Sequence, residues 1–535
     1  MIKPLKLLVA TLLGLLILAV LIQSKLPDRG GPATGRSADG NDTTGSNNKH
    51  ITIAQEHTVS TLDPAAATDT GSIRLISNIF EGLVRFKPGT AKIEPCLAES
   101  WKLSEDGLTY TFYLRQNVSF HDGVALDASA VQYSVQRQLT NQSGGTTTYA
   151  DFVYAPLEKV KVIDQHSIEF HLKYPYAPFL NNLAIPMAAP IVSPAVSRLP
   201  RDKLSSHPAG TGPFIYAGEK NGGQILKANH DYWNTPPAIE EISFLSVPDT
   251  DQRVQMLLDG HIDIALDLTF AQTAGLRFKG YPVLRATGLD IGYLGFYTDR
   301  RPFNQPAVRR AIASSLDHRE ILEKLWPQET RPALGPLPPA VLGYDPNITQ
   351  IDCAPDKAAQ LLREAGYTNG LSFTLITYTD KRPYSPGGGQ ILAEALAKSL
   401  AEHGITVKVQ AYPWQQFKQA LSRREGNAFL YGWISDNGDP DNFLYTLLAE
   451  NQVKNGLNLT RYQNEELETM LLSGRHTADP DTRQQFYRQA QQIINRDVPW
   501  LTLNHSLHYS ATSPRVQGFL LSPTDWPLLC GIIKD

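Results

Sequence analysis

The sequence predicts a mixed α/β protein with more than one folded unit. Its 535 residues exceed the roughly 150 that a single domain usually contains, so we expect two to four units. Segments of alternating apolar and polar residues, which are typical of strands, mix along the chain with segments whose apolar residues recur at helical spacing. No internal repeat is found, and no low-complexity tract follows residue 50.

The composition is that of an ordinary globular protein. Apolar residues make up 42% and charged residues 19%, with a formal net charge of -4. This balance excludes a strongly basic nucleic-acid binder, so we expect no nucleic-acid partner. The three cysteines, Cys96, Cys353 and Cys530, match no zinc or redox spacing, and their odd number permits at most one internal disulfide.

The N-terminal 25 residues predict an export or anchoring segment. Lys3 and Lys6 precede an apolar run at residues 7–22, which is typical of either a signal peptide or a membrane anchor. The exit "AVLIQSKLP" contains no clear small-residue cleavage site and no cysteine for a lipid. We therefore expect an uncleaved membrane anchor with the bulk of the chain exported, and a cleaved signal peptide is the alternative. Residues 26–50, rich in Gly, Ser, Asp, Asn and Thr, predict a flexible tether.

The folded part is expected to begin at "ITIAQE". In chain order, strands are predicted at residues 51–56 and 108–115, as a pair around a turn within 160–173, and at 405–412, and helices at 127–139, 306–325, 355–367 and 390–404. Asp127 is expected to cap the first of these helices, and Gly366 and Gly404 to end the last two.

Motifs of common enzymes and metal sites were not found. The chain contains no G-x-S-x-G elbow, no P-loop, no G-x-G-x-x-G after a strand and no H-E-x-x-H helix. The acidic stretch "WISDNGDPDNF" fails the calcium-loop spacing, because counting from Asp436 places Gly438 and Pro440 where oxygen ligands are required. We expect no catalytic residue, no metal and no cofactor.

A detailed resemblance begins at residues 97–137, "LAESWKLSEDGLTYTFYLRQNVSFHDGVALDASAVQYSVQR". This segment resembles the signature of the family 5 extracellular solute-binding proteins, the receptors of bacterial peptide and nickel ABC importers. Similar segments follow in the same order and extend the resemblance over about residues 51–530: "GTGPF" (210–214), "RRPFNQPAVRRAIASSLDHREIL" (300–322), "GPLPPAVLGYD" (335–345) and "PWLTLNHS" (499–506). In the family the first segment is scaffold, so His121 and Asp122 are poor catalytic candidates.

The resemblance implies a two-lobed periplasmic-binding-protein fold of type II, in the large cluster that has an extra subdomain, with the ligand enclosed between the lobes. Residues 51–288 are expected to form lobe I with the extra subdomain, 289–505 lobe II, and 506–535 the return to lobe I. The crossovers are expected near residues 289–295 and 503–508. The resemblance also implies a monomer in the periplasm, which the segment at residues 7–22 is expected to anchor to the inner membrane.

The resemblance also implies where a ligand binds. The segments "KRPYSP" (381–386) and "GWISDNGDPDNF" (432–443) resemble the pocket motifs of the dipeptide-binding members of the family. By that resemblance, Asp436 holds the α-amino group of the ligand and Arg382 its carboxylate.

Four further residues complete the implied site. Trp433 and Tyr384 are expected to form flat walls, and Thr70 and Gly71 to contact the ligand from lobe I. The other two acids of the motif are expected to shape the chain: Asp439 in a turn with the following proline, and Asp441 as the cap of the helix "NFLYTLL".

A zwitterionic peptide enclosed between lobes loses water around both termini, and each buried charge then needs an opposite fixed charge. An Asp and an Arg meet that need, and their separation would set the length of peptide that fits. The predicted function is therefore a receptor that captures short peptides, dipeptides above all, and delivers them to an ABC permease and its ATPase. The alternatives are a nickel, haem or other small-solute receptor of the same fold and, in another class, an envelope hydrolase.

Overall fold

The computed structural model describes residues 49–140, 149–198, 204–348 and 351–535. The predicted anchor and nearly all of the predicted tether lie outside these residues. None of the helices in the described ranges is long and apolar enough to cross a membrane.

The described strands include short edge pieces and one long strand. They are β1 (His50–Gln55), β2 (Val84–Phe86), β3 (Ile93–Pro95), β4 (Ala98–Leu103), β5 (Thr109–Leu114), β6 (Leu157–Asp164), β7 (Ser167–Leu172), β8 (Phe214–Lys220), β9 (Gly223–Ala228), β10 (Glu241–Ser246), β11 (Ile264–Leu268), β12 (Val283–Thr287), β13 (Asp290–Phe296), β14 (Thr330–Pro332), β15 (Leu371–Tyr378), β16 (Ile405–Tyr412), β17 (Ala428–Ile434), β18 (Trp500–Thr512), β19 (Val516–Gln517) and β20 (Ile533–Lys534).

The α-helices alternate with these strands. They are α1 (Thr70–Ile79), α2 (Ala128–Thr140), α3 (Tyr149–Tyr154), α4 (Phe179–Leu183), α5 (Thr250–Leu258), α6 (Phe270–Phe278), α7 (Pro306–Ser314), α8 (His318–Leu325), α9 (Pro355–Glu364), α10 (Gly389–Ala401), α11 (Trp414–Ser422), α12 (Pro440–Leu448), α13 (Asn451–Asn455), α14 (Glu465–His476) and α15 (Pro480–Asp497).

One 12-stranded sheet contains strands from both halves of the described chain. Its main order is β16-β15-β17-β13-β18-β11-β1-β10-β9-β8, with β12 and β14 also paired to β18. The long strand β18 pairs with β13 through its first residues, from Trp500 to Asn504, and with β12 through residues 507–511. A separate antiparallel sheet of order β4-β5-β7-β6 lies within the first half of the chain.

The C-terminal residues pack in the same hydrophobic core as the first described strand. Side chains after β18, among them Val516, Trp526 and Ile532, are buried in the same cluster as Ile51 and Ile53 of β1. A mixed α/β chain whose shared strand joins two halves of one sheet agrees with the predicted fold class. The lobe boundaries expected from the sequence stay a prediction.

Most of the local predictions are confirmed. Asp127 accepts a hydrogen bond from the backbone of Ala130 at 2.8 Å and so caps α2, and Gly366 and Gly404 have φ angles of 90° and 75° after their helices. The single helix expected at 306–325 is wrong: Ser314 ends α7, and Asp317 starts α8 by accepting a hydrogen bond from the Glu320 backbone at 2.9 Å.

Candidate functional site

Asp436 lies in the loop between β17 and α12, and its neighbours in that loop are joined by local hydrogen bonds. The Ser435 hydroxyl donates to Asn437 Oδ1 at 3.0 Å, and the backbone of Gly438 donates to the same hydroxyl at 3.1 Å. Gly438 has a φ of 59°, and a Cβ there would lie 3.0 Å from that of Ala91. This conformation and this close approach suit glycine. Asp436 is half-buried in the middle of this loop.

Residues from the first half of the chain hold the same loop from outside. Asn437 Nδ2 donates to Asn182 Oδ1 at 2.7 Å, and Asn181 Nδ2 donates to the Asn437 carbonyl at 3.0 Å. Nearby, the Ala177 backbone donates to the carbonyl of Arg475 at 2.9 Å. Hydrogen bonds between these two parts of the chain therefore fix the loop that follows β17. Sequence reasoning missed them, because no local pattern marks Asn182 as a partner of a residue 255 positions away.

The prediction for the two flanking acids is wrong in its details. The helix begins at Pro440, and its cap is Asp439, whose Oδ1 accepts from the Asp441 backbone at 2.9 Å. Both acids are buried beside arginines: Asp439 receives two hydrogen bonds of 2.7 Å from Arg483, and Asp441 lies 3.4 Å from Arg475. Burial raises the pKa of Asp441 to about 6, although the Arg475 charge opposes that rise. These acids stabilise the loop and its helix.

Trp433 lies half-buried on β17, opposite Ile291 of β13. Its indole Nε1 donates to Asn442 Oδ1 at 2.7 Å, so the ring is held against the first turn of α12. A buried indole N–H needs such a partner. The ring also lines a cavity of about 360 Å³.

Tyr384 is 4% exposed and packs onto two glycines of the central sheet. A Cβ on Gly432 would lie 2.4 Å from its ring, and a Cβ on Gly292 would lie 3.3 Å from its own Cβ. Asn504 Nδ2 donates to the Tyr384 carbonyl at 2.9 Å. The structure therefore brings Tyr384 to the strand that carries Trp433, with most of its ring in contact with protein.

Arg382 lies over two stacked aromatic rings, those of Trp414 and Tyr431, which the sequence did not suggest as its partners. Its guanidinium carbon is 3.5 Å from the ring centroid of Trp414, and Trp414 stacks on Tyr431 at 5.9 Å with an interplanar angle of 10°. Among the described residues, no carboxylate lies within 4.0 Å of Arg382, and its Nε is buried without a hydrogen-bond partner. Its positive charge opposes the rise that burial causes in the pKa of Tyr431.

Thr70 and Gly71 lie at the N-terminus of α1, behind the capping residue Asp69. Thr70 is half-buried, and Gly71 is buried with its Cα against the backbone: a Cβ there would lie 2.3 Å from the Thr58 carbonyl oxygen. That contact requires glycine whether or not a ligand approaches.

A serine, a histidine and an aspartate meet where β13 begins beside β18. The Ser506 hydroxyl donates to the buried Asp290 carboxylate and lies 3.2 Å from His508 Nε2. A hydrolytic triad places the histidine between the serine and the acid, whereas here Ser506 itself contacts Asp290. Over the described ranges, no group of three or more His, Cys, Asp or Glu side chains could hold a metal ion. All three cysteines are free thiols.

The predicted scaffold role of His121 and Asp122 matches their contacts. His121 Nε2 pairs with the carbonyl of Gly212 at 2.9 Å, and burial lowers its pKa. Asp122 accepts from the backbone of Val124 at 3.2 Å. Each side chain thus contacts backbone that it helps to position.

The mixed sheet whose long strand β18 joins two halves agrees with the type II periplasmic class of two-lobed binding proteins. The chain belongs to the bacterial extracellular solute-binding proteins, family 5. The family model, which describes the middle region of these proteins, matches residues 92–455.

Known proteins resemble the chain over most of its length. It is 34% identical over 497 residues to the di/tripeptide-binding protein 2 of Pseudomonas aeruginosa, covering 89% of this chain and 93% of that protein. It is 32% identical over 477 residues to the heme-binding protein A of Haemophilus influenzae, covering 85% and 87%. Among solved structures, HbpA2 from Haemophilus parasuis is similar with a TM-score of 0.86 and 31% identity, covering 91% of this chain and 100% of that one.

Proposed function

We propose that this protein is the periplasmic receptor of a bacterial ABC importer and that it captures short peptides, dipeptides above all. It delivers them to a membrane permease and its ATPase without a catalytic step. The di/tripeptide-binding relative supports this ligand class. Peptide contacts that form only when the lobes close would shift the protein towards its closed state.

The guanidinium of Arg382, which no carboxylate of the described residues approaches within 4.0 Å, is the observation that carries the proposal. A half-buried cation with a buried, unpartnered Nε and no carboxylate within 4.0 Å among the described residues is unusual, because buried charges normally have partners. Contact with the Trp414 ring holds the planar guanidinium in place. An arginine held in one plane suits a carboxylate, which it can bind through two parallel hydrogen bonds.

Asp436 supplies the opposite charge for the ligand's amino group in this proposal. It lies half-buried two residues beyond the end of β17, in a loop fixed by hydrogen bonds from both parts of the chain. A rigid loop at one end and a stacked arginine at the other would hold the two charges at a set separation. Since an extended chain spans at most about 3.6 Å per residue, that separation would select peptide length. Trp433 and Tyr384 are the proposed walls, and Thr70 and Gly71 the proposed lobe I contacts.

Calorimetric titration with di-, tri- and pentapeptides tests the proposal. Removing one partner of a desolvated charge pair costs about 3–5 kcal/mol, so Arg382→Ala and Asp436→Ala should each weaken dipeptide binding by more than about a hundredfold. Arg277→Ala, at an exposed position of α6, is the matched control and should bind as wild type does. Dipeptide affinity unchanged in both site variants would refute the assignment.

Haem is the second candidate, because the heme-binding relative is almost as similar as the peptide-binding one. Titration with hemin and with nickel therefore belongs to the same experiment. Hemin binding that persists in both site variants, with no peptide binding in wild type, would favour this alternative. Anchoring by residues 7–22 is a separate proposal, and the intact mass of the exported protein tests it.

A further inference from the structure

The cavity beside Trp433 is large enough to be a binding site in its own right. Its volume of about 360 Å³ falls within the roughly 300–1,000 Å³ typical of small-molecule sites. Tyr431 and Trp433, two residues apart on β17, face it together, as alternate residues of a strand do. Its other apolar lining residues come from α11, from the end of α12 and from the segment that follows α12: Leu421, Leu447, Val453, Leu457 and Leu459.

The charged residues that line the cavity are all basic. They are Lys418, Arg424 and Arg461, and no Asp or Glu is among the lining residues. Arg424 and Arg461 share one carboxylate, that of Asp299, at 2.5 and 2.8 Å. Lys418 is exposed and, within the described residues, has no carboxylate within 4.0 Å. The cavity therefore lies in a positive field.

A buried hydroxyl in the cavity wall lacks a partner. Tyr297 is 0% exposed, and its Oη makes no hydrogen bond within the described structure. Arg300 and Arg424 lie over its ring at 4.4 and 5.6 Å. A buried hydroxyl without a partner is costly, and a ligand group that accepts a hydrogen bond would remove that cost.

We propose that this cavity receives one side chain of the bound peptide and selects a large apolar or aromatic side chain, including one with an acceptor or acidic end, over a basic one. The inference rests on the proposed peptide function and adds a specificity to it. Burial against Trp433, Tyr431 and the leucines favours apolar groups. A lysine or arginine side chain would bring a like charge among Lys418, Arg424 and Arg461.

Calorimetry with alanine dipeptides in which either position is replaced by Phe, Glu or Lys tests this inference. At one of the two positions, we expect Phe to bind at least about tenfold more tightly than Ala, and Lys at least about tenfold more weakly. Lys418→Glu should reverse the preference for Glu over Lys at that position. Lys398→Glu, an exposed site on α10 outside the cavity, should preserve it. Val453→Trp, which fills the cavity, should bring the Phe-to-Ala affinity ratio close to one.

The two proposals fail in distinguishable ways. Equal affinity for the Phe, Glu and Lys peptides at both positions, in a protein whose binding still requires Arg382, would overturn the specificity and leave the peptide receptor intact. An unchanged preference in Lys418→Glu would also overturn it, and that exposed substitution does not depend on repacking the cavity. Absence of binding for every peptide would overturn both proposals.

Discussion

Asp439 is expected to be among the most costly positions to change in the loop that carries the proposed amine site. It is 1% exposed, its partner Arg483 is 4% exposed, and two hydrogen bonds of 2.7 Å join them. Removing one partner of a buried ion pair leaves the other charge desolvated, which costs about 3–5 kcal/mol. Asp439 also caps α12, and loss of a cap costs about 1 kcal/mol. Asp439→Ala should therefore lower the free energy of unfolding by about 4–6 kcal/mol.

Urea denaturation followed by circular dichroism measures this loss. Asp479→Ala is the matched control, because Asp479 caps α15 by accepting from the Thr482 backbone at 2.8 Å but is exposed and forms no ion pair with any residue that the structure describes. The control should lose only about 1 kcal/mol. If Asp439→Ala costs no more than Asp479→Ala, the buried pair does not stabilise the loop as we argue.

Three further predictions follow from the packing. Gly432→Ala would place a Cβ 2.4 Å from the Tyr384 ring and should destabilise by about 1–3 kcal/mol, whereas Gly275→Ala, in a helix with nothing within 4 Å, should stabilise by about 0.5–1 kcal/mol in the same denaturation assay. Burial lowers the pKa of His505 from 6.5 to about 4. Between these two pH values only the unfolded chain binds a proton at His505, so the free energy of unfolding should fall by about 3 kcal/mol as the pH decreases from 6.5 to about 4. His505→Gln should lose this part of the pH dependence. With a thiol reagent, exposed Cys353 should react in the native protein and buried Cys96 only after unfolding; native labelling of both would contradict the described packing.

Local patterns were sufficient for much of the secondary structure. Strand alternation located β5 and β16, and the cap of α2 at Asp127 could be read from residues within one turn of the helix. The same method failed at 306–325, where the apolar period continues through a break that Asp317 creates by capping a second helix. It also failed at the acidic motif, because several carboxylates in one turn-forming stretch compete for the same capping role.

The proposed site shows the limit of such patterns. Resemblance pointed to Arg382 and Asp436. It did not point to the Trp414 ring that contacts the guanidinium, nor to Asn182, which no local pattern marks although it accepts a hydrogen bond from the loop. Arg483 likewise lies 44 residues from the acid it neutralises. Helical and strand periods arise from neighbouring residues, so the sequence could determine them. The pairing of buried charges and amides depends on which distant segments share a water-free space, and only the packed tertiary structure decides that.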